Sequence, residues 1–410
     1  MAKMTTRKGG HGDSVSLLGY GMMRLPTVDG SHANTYHGGS SAAIDQELVN
    51  RQTDRALELG VNYFDTSPAY CRGESESVTG KALSRHDRKS YFIATKFSNF
   101  NSKFWPLEKG KEMYEQSFRN LRTDYIDYYL MHAIGNGGFD TFKKRHLDNG
   151  AIDYFLGERD RGRVRNLGFS FHGDPRAWEW MMEHHDKYHW DFVQIQLNYV
   201  DWKHAKAVNK RNLDAEYLYA ECAKRDIPVV VMEPLLGGRL ARFNNSLATA
   251  LNPLAPGASL ASWALRFAGH WPKVMTVLSG MTYTEHLEEN AAVYSPLKPL
   301  SAAELEALEG AAVSYLADHT VPCNACDYCM PCPYGIDIPR ILSIYNQSLT
   351  QPGFDLLKAY DREIPYLRQA NHCTGCGRCK PHCPQTIDIP KEIQMIDDVV
   401  ERLRVTGRKV

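Results

Sequence analysis

The stretch Gly60-Val-Asn-Tyr-Phe-Asp-Thr-Ser-Pro-Ala-Tyr70 joins a short apolar run to a group of polar residues. The apolar part, Asn62–Thr66, predicts a buried β-strand, because a short run of this kind bounded by turn-forming residues is typical of one. The preceding segment, Gln46–Leu59, has the apolar spacing of an amphipathic helix. Helix, strand and polar loop therefore follow one another directly, and repetition of this unit decides the fold.

The same alternation recurs from Leu17 to Gly280. Strands that alternate with helices over about 260 residues favour a closed barrel over an open sheet. We therefore predict an α/β fold of the (β/α)8, or TIM-barrel, type. The predicted strands are Leu17–Gly21, Asn62–Thr66, Phe92–Lys96, Ile126–His132, Val164–Ser170, Phe192–Asn198, Pro228–Glu233 and Val274–Ser279, and further predicted helices are Lys111–Leu121, Ala215–Lys224 and Ser259–Ala268.

The chain is predicted to divide into three parts. Residues 1–14, which are basic and rich in Gly, are expected to form a flexible N-terminus. Residues 15–318 are assigned to the barrel and end in an added helix, for which Ser301 and Glu304 predict a capping box. Residues 319–410 are assigned to a small, mostly helical, ferredoxin-like domain.

The composition of the 410-residue chain is ordinary, with 43% hydrophobic and 23% charged residues and a formal net charge of zero. A neutral chain gives no reason to expect a nucleic acid or an anionic membrane as partner. No apolar run approaches the roughly 20 residues that span a bilayer, and residues 1–12 lack the apolar segment of a signal peptide. Because metal-binding thiolates must stay reduced, we expect a cytoplasmic protein.

Polar residues end three consecutive predicted strands. Asp65 lies at the end of the second strand, Lys96 of the third and His132 of the fourth, while Tyr70 follows in the loop after Asp65. Barrel enzymes place their chemistry at the C-terminal ends of strands, so we expect these side chains to converge. Each alone has a common structural role, but together they suit hydride transfer to a carbonyl. A phenol supplies the proton, an ammonium group lowers the phenol pKa, a carboxylate holds the ammonium, and an imidazole orients the carbonyl oxygen.

Eight of the ten cysteines lie in two runs near the C-terminus. Interlocked x2 spacings followed by Cys-Pro are the ferredoxin signature of a [4Fe–4S] cluster. Zinc is the alternative, but zinc sites usually use two separated C-x2-C pairs. Residues 332–339 recur as residues 383–390, so two clusters are predicted. The runs are Cys323-x2-Cys326-x2-Cys329-x2-Cys332-Pro333 and Cys373-x2-Cys376-x2-Cys379-x3-Cys383-Pro384.

The fourth cysteine of each run is expected to bind the cluster of the other run, as in two-cluster ferredoxins. This crossing could fail at Cys332, where the spacing is x2 instead of the usual x3. The predicted ligands are Cys323, Cys326, Cys329 and Cys383 for one cluster, and Cys373, Cys376, Cys379 and Cys332 for the other.

The barrel motifs resemble those of the aldo-keto reductase superfamily over residues 15–318, and the C-terminal extension is similar to that of a subgroup with a two-cluster [4Fe–4S] ferredoxin-type domain. The resemblance implies a nicotinamide cofactor and no metal in the barrel. It implies that Tyr70 is the general acid or base, that Lys96 and Asp65 tune it, and that His132 orients the substrate. The motifs are residues 60–70, Ala94-Thr-Lys96, Leu130-Met-His132, Leu18-Gly-Tyr-Gly-Met-Met-Arg24, Gly168-Phe-Ser170 and Glu233-Pro-Leu-Leu-Gly237.

The resemblance also implies contacts with the cofactor. Ser170 and Gln194 would hold the carboxamide, with Gln196 as a rival to Gln194, and Met232 would lie on the nicotinamide. Basic residues that usually grip a 2′-phosphate are replaced by Gly280 and His286, which leaves NADP and NAD both open. The implied cofactor-binding residues are Gly21, Met22, Ser170, Gln194, Met232, Leu235, Gly237, Gly280, Glu289 and Asn290.

Three functions follow from these predictions. The first is an oxidoreductase that acts on a small carbonyl or alcohol substrate in the barrel, while the clusters pass electrons to or from a redox partner. The second is an independent carbonyl reductase whose clusters are structural or sense redox conditions. The third is a nicotinamide-binding electron-relay subunit with little turnover, although such a subunit has no use for a tuned phenol.

Overall fold

The protein is built around a closed barrel of eight parallel strands. A computed structural model describes residues 3–33, 40, 42–242 and 244–406. The barrel strands follow one another in chain order, and the last pairs with the first. The predicted (β/α)8 fold is confirmed. The strands are β1 (Thr6–Lys8) and β2 (Ser14–Ser16), which form a hairpin, and the barrel strands β3 (Leu18–Gly21), β4 (Tyr63–Asp65), β5 (Phe92–Phe97), β6 (Ile126–Ile134), β7 (Val164–Phe171), β8 (Phe192–Gln196), β9 (Val229–Met232) and β10 (Val274–Ser279).

Helices surround the barrel because each turns an apolar face toward the strands. In the first helix Val49 and Ala56 are buried, and Asp45 caps its N-terminus by accepting from the Leu48 amide. The predicted capping box of Ser301 and Glu304 is present. The helices are α1 (Gln46–Glu58), α2 (Ser75–Leu83), α3 (Leu107–Leu121), α4 (Phe139–Phe142), α5 (Ala151–Asp160), α6 (Pro175–Glu183), α7 (His185–Tyr188), α8 (Asp201–Val208), α9 (Ala215–Lys224), α10 (Asn245–Leu251), α11 (Leu260–His270), α12 (Thr284–Val293) and α13 (Ala302–Ala317).

The N-terminal hairpin corrects one prediction. The sequence predicts a flexible segment over residues 1–14, but from residue 6 the chain forms two paired strands, and only residues 1 and 2 lie outside the described part. Val15 packs with Tyr63 and Tyr128 in a cluster at the N-terminal end of the barrel. The Arg7 guanidinium donates to the carbonyl oxygens of Gly269 at 2.6 Å and Val274 at 2.7 Å. The hairpin therefore covers the bottom of the barrel, opposite the predicted active site.

The C-terminal module has its own small apolar core. It contains three helices, α14 (Ile338–Thr350), α15 (Leu356–Glu363) and α16 (Ile389–Thr406). Two of them begin at the repeated Ile-Pro pairs, because proline is tolerated in the first turn, where its missing N–H has no intrahelical partner. The core is formed mainly by Ile341, Ile344, Ile393, Ile396 and Val400. Among the described residues, no helix has the length and apolar character of a membrane span.

The module lies across the C-terminal mouth of the barrel. The Asn209 side chain donates to the Pro384 carbonyl at 2.8 Å and accepts from the Thr386 hydroxyl at 2.7 Å. On the other side, Arg239 donates to the Thr320 hydroxyl at 2.8 Å. These contacts bring the cysteine-bearing loops over the face where the strand-end residues converge.

Candidate active site and cluster-binding cysteines

The predicted catalytic residues meet at the C-terminal ends of β4, β5 and β6. Lys96 Nζ donates to Asp65 Oδ1 at 2.6 Å and to the Thr66 carbonyl oxygen at 2.8 Å. Both charged side chains are buried: Lys96 is fully enclosed and Asp65 is 2% exposed. Burial lowers the pKa of Lys96 and raises that of Asp65, and their mutual attraction opposes both shifts. The barrel strands thus hold an ion pair away from water, directly behind the site.

Tyr70 lies in the loop after β4, beside this ion pair. Its ring centroid is 4.8 Å from Lys96 Nζ and 6.1 Å from the ring centroid of His132. The sequence predicts that the ammonium lowers the phenol pKa, and the structure contradicts this. Burial first, and then the charge of Asp65, raises the pKa of Tyr70 well above its usual value. The phenol therefore keeps its proton at neutral pH, which suits a proton donor.

His132 is held by a short chain of hydroxyl groups. The Ser98 hydroxyl lies 2.6 Å from His132 Nδ1, and the Ser67 hydroxyl lies 2.7 Å from that of Ser98. Burial, followed by the charge of Lys96, lowers the pKa of His132 well below its usual value, so the ring is neutral. If the hydroxyls donate toward Nδ1, the ring carries its hydrogen on Nε2. Neither serine was identified from the sequence, because two strand-end serines have no distinctive spacing.

A cavity of about 980 Å³ opens above these residues. The barrel contributes Tyr70, His132 and Asp65 to its wall, and the C-terminal module contributes Cys326 and Cys383. The active-site cavity is therefore bounded by both parts of the chain, and a cysteine from each run reaches it.

Most of the implied cofactor residues line this cavity. Two do not. Met22 is fully buried in the barrel core, and Met23 takes its place at the cavity wall. Ser170 is also fully buried, and its hydroxyl accepts from the Ala133 amide at 2.8 Å. The residues at the wall are Gly21, Gln194, Met232, Leu235, Gly237, Gly280, Glu289 and Asn290.

The structure separates the two candidate glutamines by their hydrogen bonds. Gln196 donates its amide to Asp201 Oδ2 at 2.6 Å. The amide nitrogen of Gln194 lies 3.4 Å from the Met232 sulfur. The Oε1 atom of Gln194 is buried without a hydrogen-bond partner. A buried acceptor that lacks a donor is costly, so Gln194 is better suited than Gln196 to receive a carboxamide N–H.

The opposite end of the cavity lies at β10 and α12. Asn290 donates to the Ser279 hydroxyl at 3.0 Å, and Glu289 accepts from the Ser259 hydroxyl. A side chain added at Gly280 would meet the Arg24 side chain at 3.8 Å. Arg24, in the loop after β3, therefore brings a guanidinium close to Gly280, one of the two positions at which the usual basic residue is missing.

Four further residues line the cavity, and of these only Glu233 belongs to one of the quoted motifs. Glu233 and Gln385 each carry a buried side-chain oxygen with no partner. Asn324 and Tyr328 extend from the first cysteine run, and the phenol of Tyr328 contributes to the raised pKa of Tyr70. The positions of Asn324, Tyr328 and Gln385 at the cavity depend on docking of the module onto the barrel, so their spacing along the chain does not predict them.

The two cysteine runs cross in space. Burial raises the pKa of Cys323 to about 11, and the charge of Cys383 adds to the shift. Burial and Cys383 likewise raise the pKa values of Cys326 and Cys329. In the second run, burial raises the pKa of Cys379 to about 11, with contributions from Cys373, Cys376 and Cys332. Each fourth cysteine therefore lies near the opposite run, as a crossed ligand pattern requires.

Within the part of the chain that the structure describes, no three His, Cys, Asp or Glu side chains are arranged around a position for a single metal ion. The cysteines also need stabilisation as thiolates, because burial disfavours their charge. Iron bound to the sulfurs would provide it, since metal ligation favours the deprotonated thiol.

The fold and the site define a barrel oxidoreductase joined to an iron–sulfur module. The sequence model described as the aldo/keto reductase family matches residues 18–312, and the chain belongs to this family. A second model, described as a 4Fe-4S dicluster domain, matches residues 322–388. The chain is thus an aldo/keto reductase that carries a C-terminal 4Fe-4S dicluster domain.

Curated relatives share the barrel part of the chain. An uncharacterized oxidoreductase of Bacillus subtilis is 28% identical over 306 residues, which cover 70% of this chain and 94% of the relative. An L-galactose dehydrogenase of Arabidopsis thaliana is 25% identical over 318 residues, or 73% of this chain and 91% of the relative. A methylglyoxal reductase of Escherichia coli is 26% identical over 288 residues, which cover 65% of this chain and 87% of the relative.

Solved structures confirm the fold. An aldo-keto reductase from Bacillus halodurans, in its holo form, has a TM-score of 0.59 and 24% identity, and covers 75% of this chain and 96% of its own. An aldo/keto reductase from Klebsiella pneumoniae in complex with NADP and acetate has a TM-score of 0.55 and 22% identity, with coverage of 75% and 94%.

Proposed function

We propose that the chain is a nicotinamide-dependent oxidoreductase that reduces an aldehyde or ketone, or oxidises the corresponding alcohol, in the barrel cavity. We further propose that two [4Fe–4S] clusters relay electrons to or from a redox partner. One observation carries the proposal: Tyr70 and His132, backed by the buried Lys96–Asp65 pair, open into a cavity that Cys326 and Cys383 also line. The cofactor is NADP or NAD.

Residues along the cavity suit a dinucleotide. The unpartnered Gln194 Oε1 can accept from a carboxamide, and Met232 offers an apolar, polarizable surface beside it. Glu289 and Asn290 line the adenine end. When bound, the nicotinamide supplies or accepts the hydride.

The protein side chains manage the proton and the carbonyl oxygen. His132, neutral and oriented through Nδ1 by Ser98, can donate from Nε2 to the carbonyl oxygen. Tyr70 holds the proton that this oxygen takes up.

For the clusters we propose the crossed ligand set. Cys383 completes the first cluster and Cys332 the second, in line with their proximity to the opposite runs. A hydride carries two electrons, whereas each cluster passes one at a time. In carbonyl reduction both electrons of the hydride end in the alcohol, so electrons that pass through the clusters would have to exchange with the nicotinamide in a separate reaction, in which two clusters can together hold two electrons.

The second run is the more accessible one. Cys376 is exposed, whereas burial affects all three leading cysteines of the first run. Residues 364–387 contain Arg368, Arg378 and Lys380 and no Asp or Glu, and the exposed Tyr366 and Leu367 lie in the same segment. Two of these cations are paired, Lys380 with Asp388 at 2.9 Å and Arg368 with Asp337 at 3.6 Å, so the exposure of Cys376 beside apolar side chains, and not a net positive charge, supports electron exchange with a redox partner at this run.

Anaerobic assays test this function. Purified protein is expected to oxidise NADPH or NADH with a panel of aldehydes, ketones and sugar-derived carbonyls. In the Cys376→Ser variant, carbonyl reduction should persist while electron transfer to one-electron dyes is lost, and Cys222→Ala serves as the control outside the runs. If Cys376→Ser changes only thermal stability, the clusters are structural and the barrel is an independent carbonyl reductase. If no carbonyl is reduced, the chain is a relay subunit.

A further inference from the structure

The first cysteine run forms one wall of the dinucleotide cavity. We call residues 323–329 the first ligand loop. Asn324, Cys326 and Tyr328 from this loop line the cavity together with Glu233 and Gly237 of the loop after β9. The wall that faces the implied cofactor is therefore made from a cluster-binding segment.

The packing at Gly237 shows how closely the two parts meet. A Cβ atom placed on Gly237 would lie 2.3 Å from Asn324 Cβ and 2.5 Å from the Asn324 carbonyl oxygen. At Gly238, which also has a positive φ, an added Cβ would meet nothing within 4 Å. The resemblance implies Gly237 as a cofactor-binding residue, and in the structure it is also the contact point for the first ligand loop.

Arg24 touches both the loop and the far end of the cavity. Its Nη2 donates to the carbonyl oxygen of Asn324 at 3.0 Å and lies 3.4 Å from that of Ala325. Its side-chain carbons lie about 3.8 Å from the position that a Cβ on Gly280 would take. One side chain therefore links the residues between Cys323 and Cys326 to the adenine end of the cavity.

Glu233 adds a second link. Its carboxylate lies beside the Asn324 side chain and the Gly237 amide, in the field of Arg24 and Arg239. A carboxylate at a phosphate-binding turn repels phosphate unless nearby cations offset its charge. The cations that offset this carboxylate, Arg24 and Arg239, both belong to the barrel, and Arg24 also holds the backbone of the first ligand loop.

We propose that the first ligand loop is a structural wall of the dinucleotide site, and that Arg24 couples occupancy of this site to the redox state of the first cluster. The inference rests on the proposed function, because it assumes that a nicotinamide dinucleotide binds in the cavity. Arg24 acts here as a positioning residue.

The coupling has a predictable sign. Reduction adds a negative charge to the first cluster, next to a cavity that holds an anionic dinucleotide. We expect the dinucleotide to bind the reduced protein at least about fivefold more weakly than the oxidised protein, within the range of typical coupling between sites. By reciprocity, binding should lower the reduction potential of the first cluster by about 40 mV, since a tenfold change corresponds to 59 mV for one electron.

The experiment uses the anaerobic holoprotein. NADPH affinity is measured by fluorescence with the clusters oxidised and reduced. The potential of the first cluster is measured by EPR with and without NADP⁺, in the Cys376→Ser background so that the second cluster does not contribute. Arg24→Lys keeps the charge but replaces a guanidinium that can reach two carbonyls with a point charge, and Arg51→Lys is the exposed control.

The outcomes are distinct. We expect Arg24→Lys to weaken NADPH binding and to reduce the potential shift, because the direct repulsion between the two negative charges remains while the contacts of the guanidinium with Asn324 and Ala325 are lost, whereas Arg51→Lys should change neither. Gly237→Ala should do the same and Gly238→Ala much less, because only the former collides with Asn324. If the wild type binds NADPH but shows no redox-dependent affinity and no potential shift, the inference is overturned and the proposed function stands. Absence of any NADPH or NADH binding would refute the proposed function itself.

Discussion

The barrel site and the cluster-binding module differ in what holds their functional groups in place. In the barrel, Lys96 is fully buried and held by Asp65 and the Thr66 carbonyl, and His132 is held by Ser98. In the module, burial raises the pKa values of Cys323, Cys326 and Cys329, which opposes the thiolate form. The barrel site is thus organised by the protein alone, whereas the module depends on iron for its charge balance.

This difference follows from the size of the two cores. The barrel surrounds its site with strands whose residues are almost all buried. The module has three helices around one small core, and domains of this size often need a metal or a disulfide to be stable. Loss of iron should therefore damage the module far more than the barrel.

The largest expected effect tests the crossed ligands. In the Cys323→Ser/Cys383→Ser double variant both changes fall on one cluster, so about four of eight irons should remain. In the Cys323→Ser/Cys332→Ser double variant the changes fall on different clusters, so both clusters should be lost. Iron analysis of protein purified anaerobically measures this, and the reverse pattern would show that the runs do not cross.

Substitution of Tyr70, the proposed proton donor, should lower activity nearly as severely, but only in the barrel. Tyr70→Phe removes the phenol and should lower the rate of carbonyl reduction by about 10²–10⁴, the usual contribution of a general acid. Cofactor affinity and iron content should stay unchanged. Tyr217→Phe, an exposed tyrosine on α9, is the control, and steady-state kinetics of both decide whether Tyr70 holds this role.

A smaller effect is expected at Ser98, which orients His132. Ser98→Ala removes the oxygen 2.6 Å from Nδ1, and kcat/KM should fall about tenfold, equivalent to about 1.4 kcal/mol. Ser98→Thr retains a hydroxyl and should recover part of the rate. Ser84→Ala, on the exposed end of α2, should have no effect. Full activity of the Ser98→Ala variant would show that Ser98 does not contribute to catalysis.

The smallest expected effect is the response to pH. Tyr70 stays protonated because its pKa is raised, and His132 and His172 stay neutral because their pKa values are lowered, to about 4 for His172. None of the three changes charge between about pH 6 and about pH 9, so kcat/KM for reduction should vary less than twofold. A fall with an apparent pKa near 7 would contradict this assignment.

Much of the fold could be predicted because the repeating unit is local. Each barrel strand is a short apolar run between turn residues, and the polar residues at the strand ends, such as Asp65 and Lys96, mark one face. The N-terminal hairpin was missed because its strands have three residues each. Burial of Val15 there depends on the barrel base and not on the local sequence.

The candidate site was predicted only in part. The four strand-end and loop residues converge as expected, but the direction of the Tyr70 pKa shift was wrong, because burial depends on surrounding atoms that spacing does not reveal. Met22 was assigned to the cavity in place of Met23, since a one-residue change of strand register reverses the side chain. Ser98 lies in none of the quoted motifs, and Arg24 ends one of them without any sign in the sequence that it reaches the first ligand loop.

The sequence by itself determined the barrel, the strand-end residues and the two cysteine runs, because these depend on periodicity and on fixed spacing along the chain. Only the tertiary structure decided that Asn324 packs on Gly237, that Arg24 reaches the first ligand loop, and that cysteines line the catalytic cavity. These contacts join residues far apart in the chain, and they form only when the module docks on the barrel.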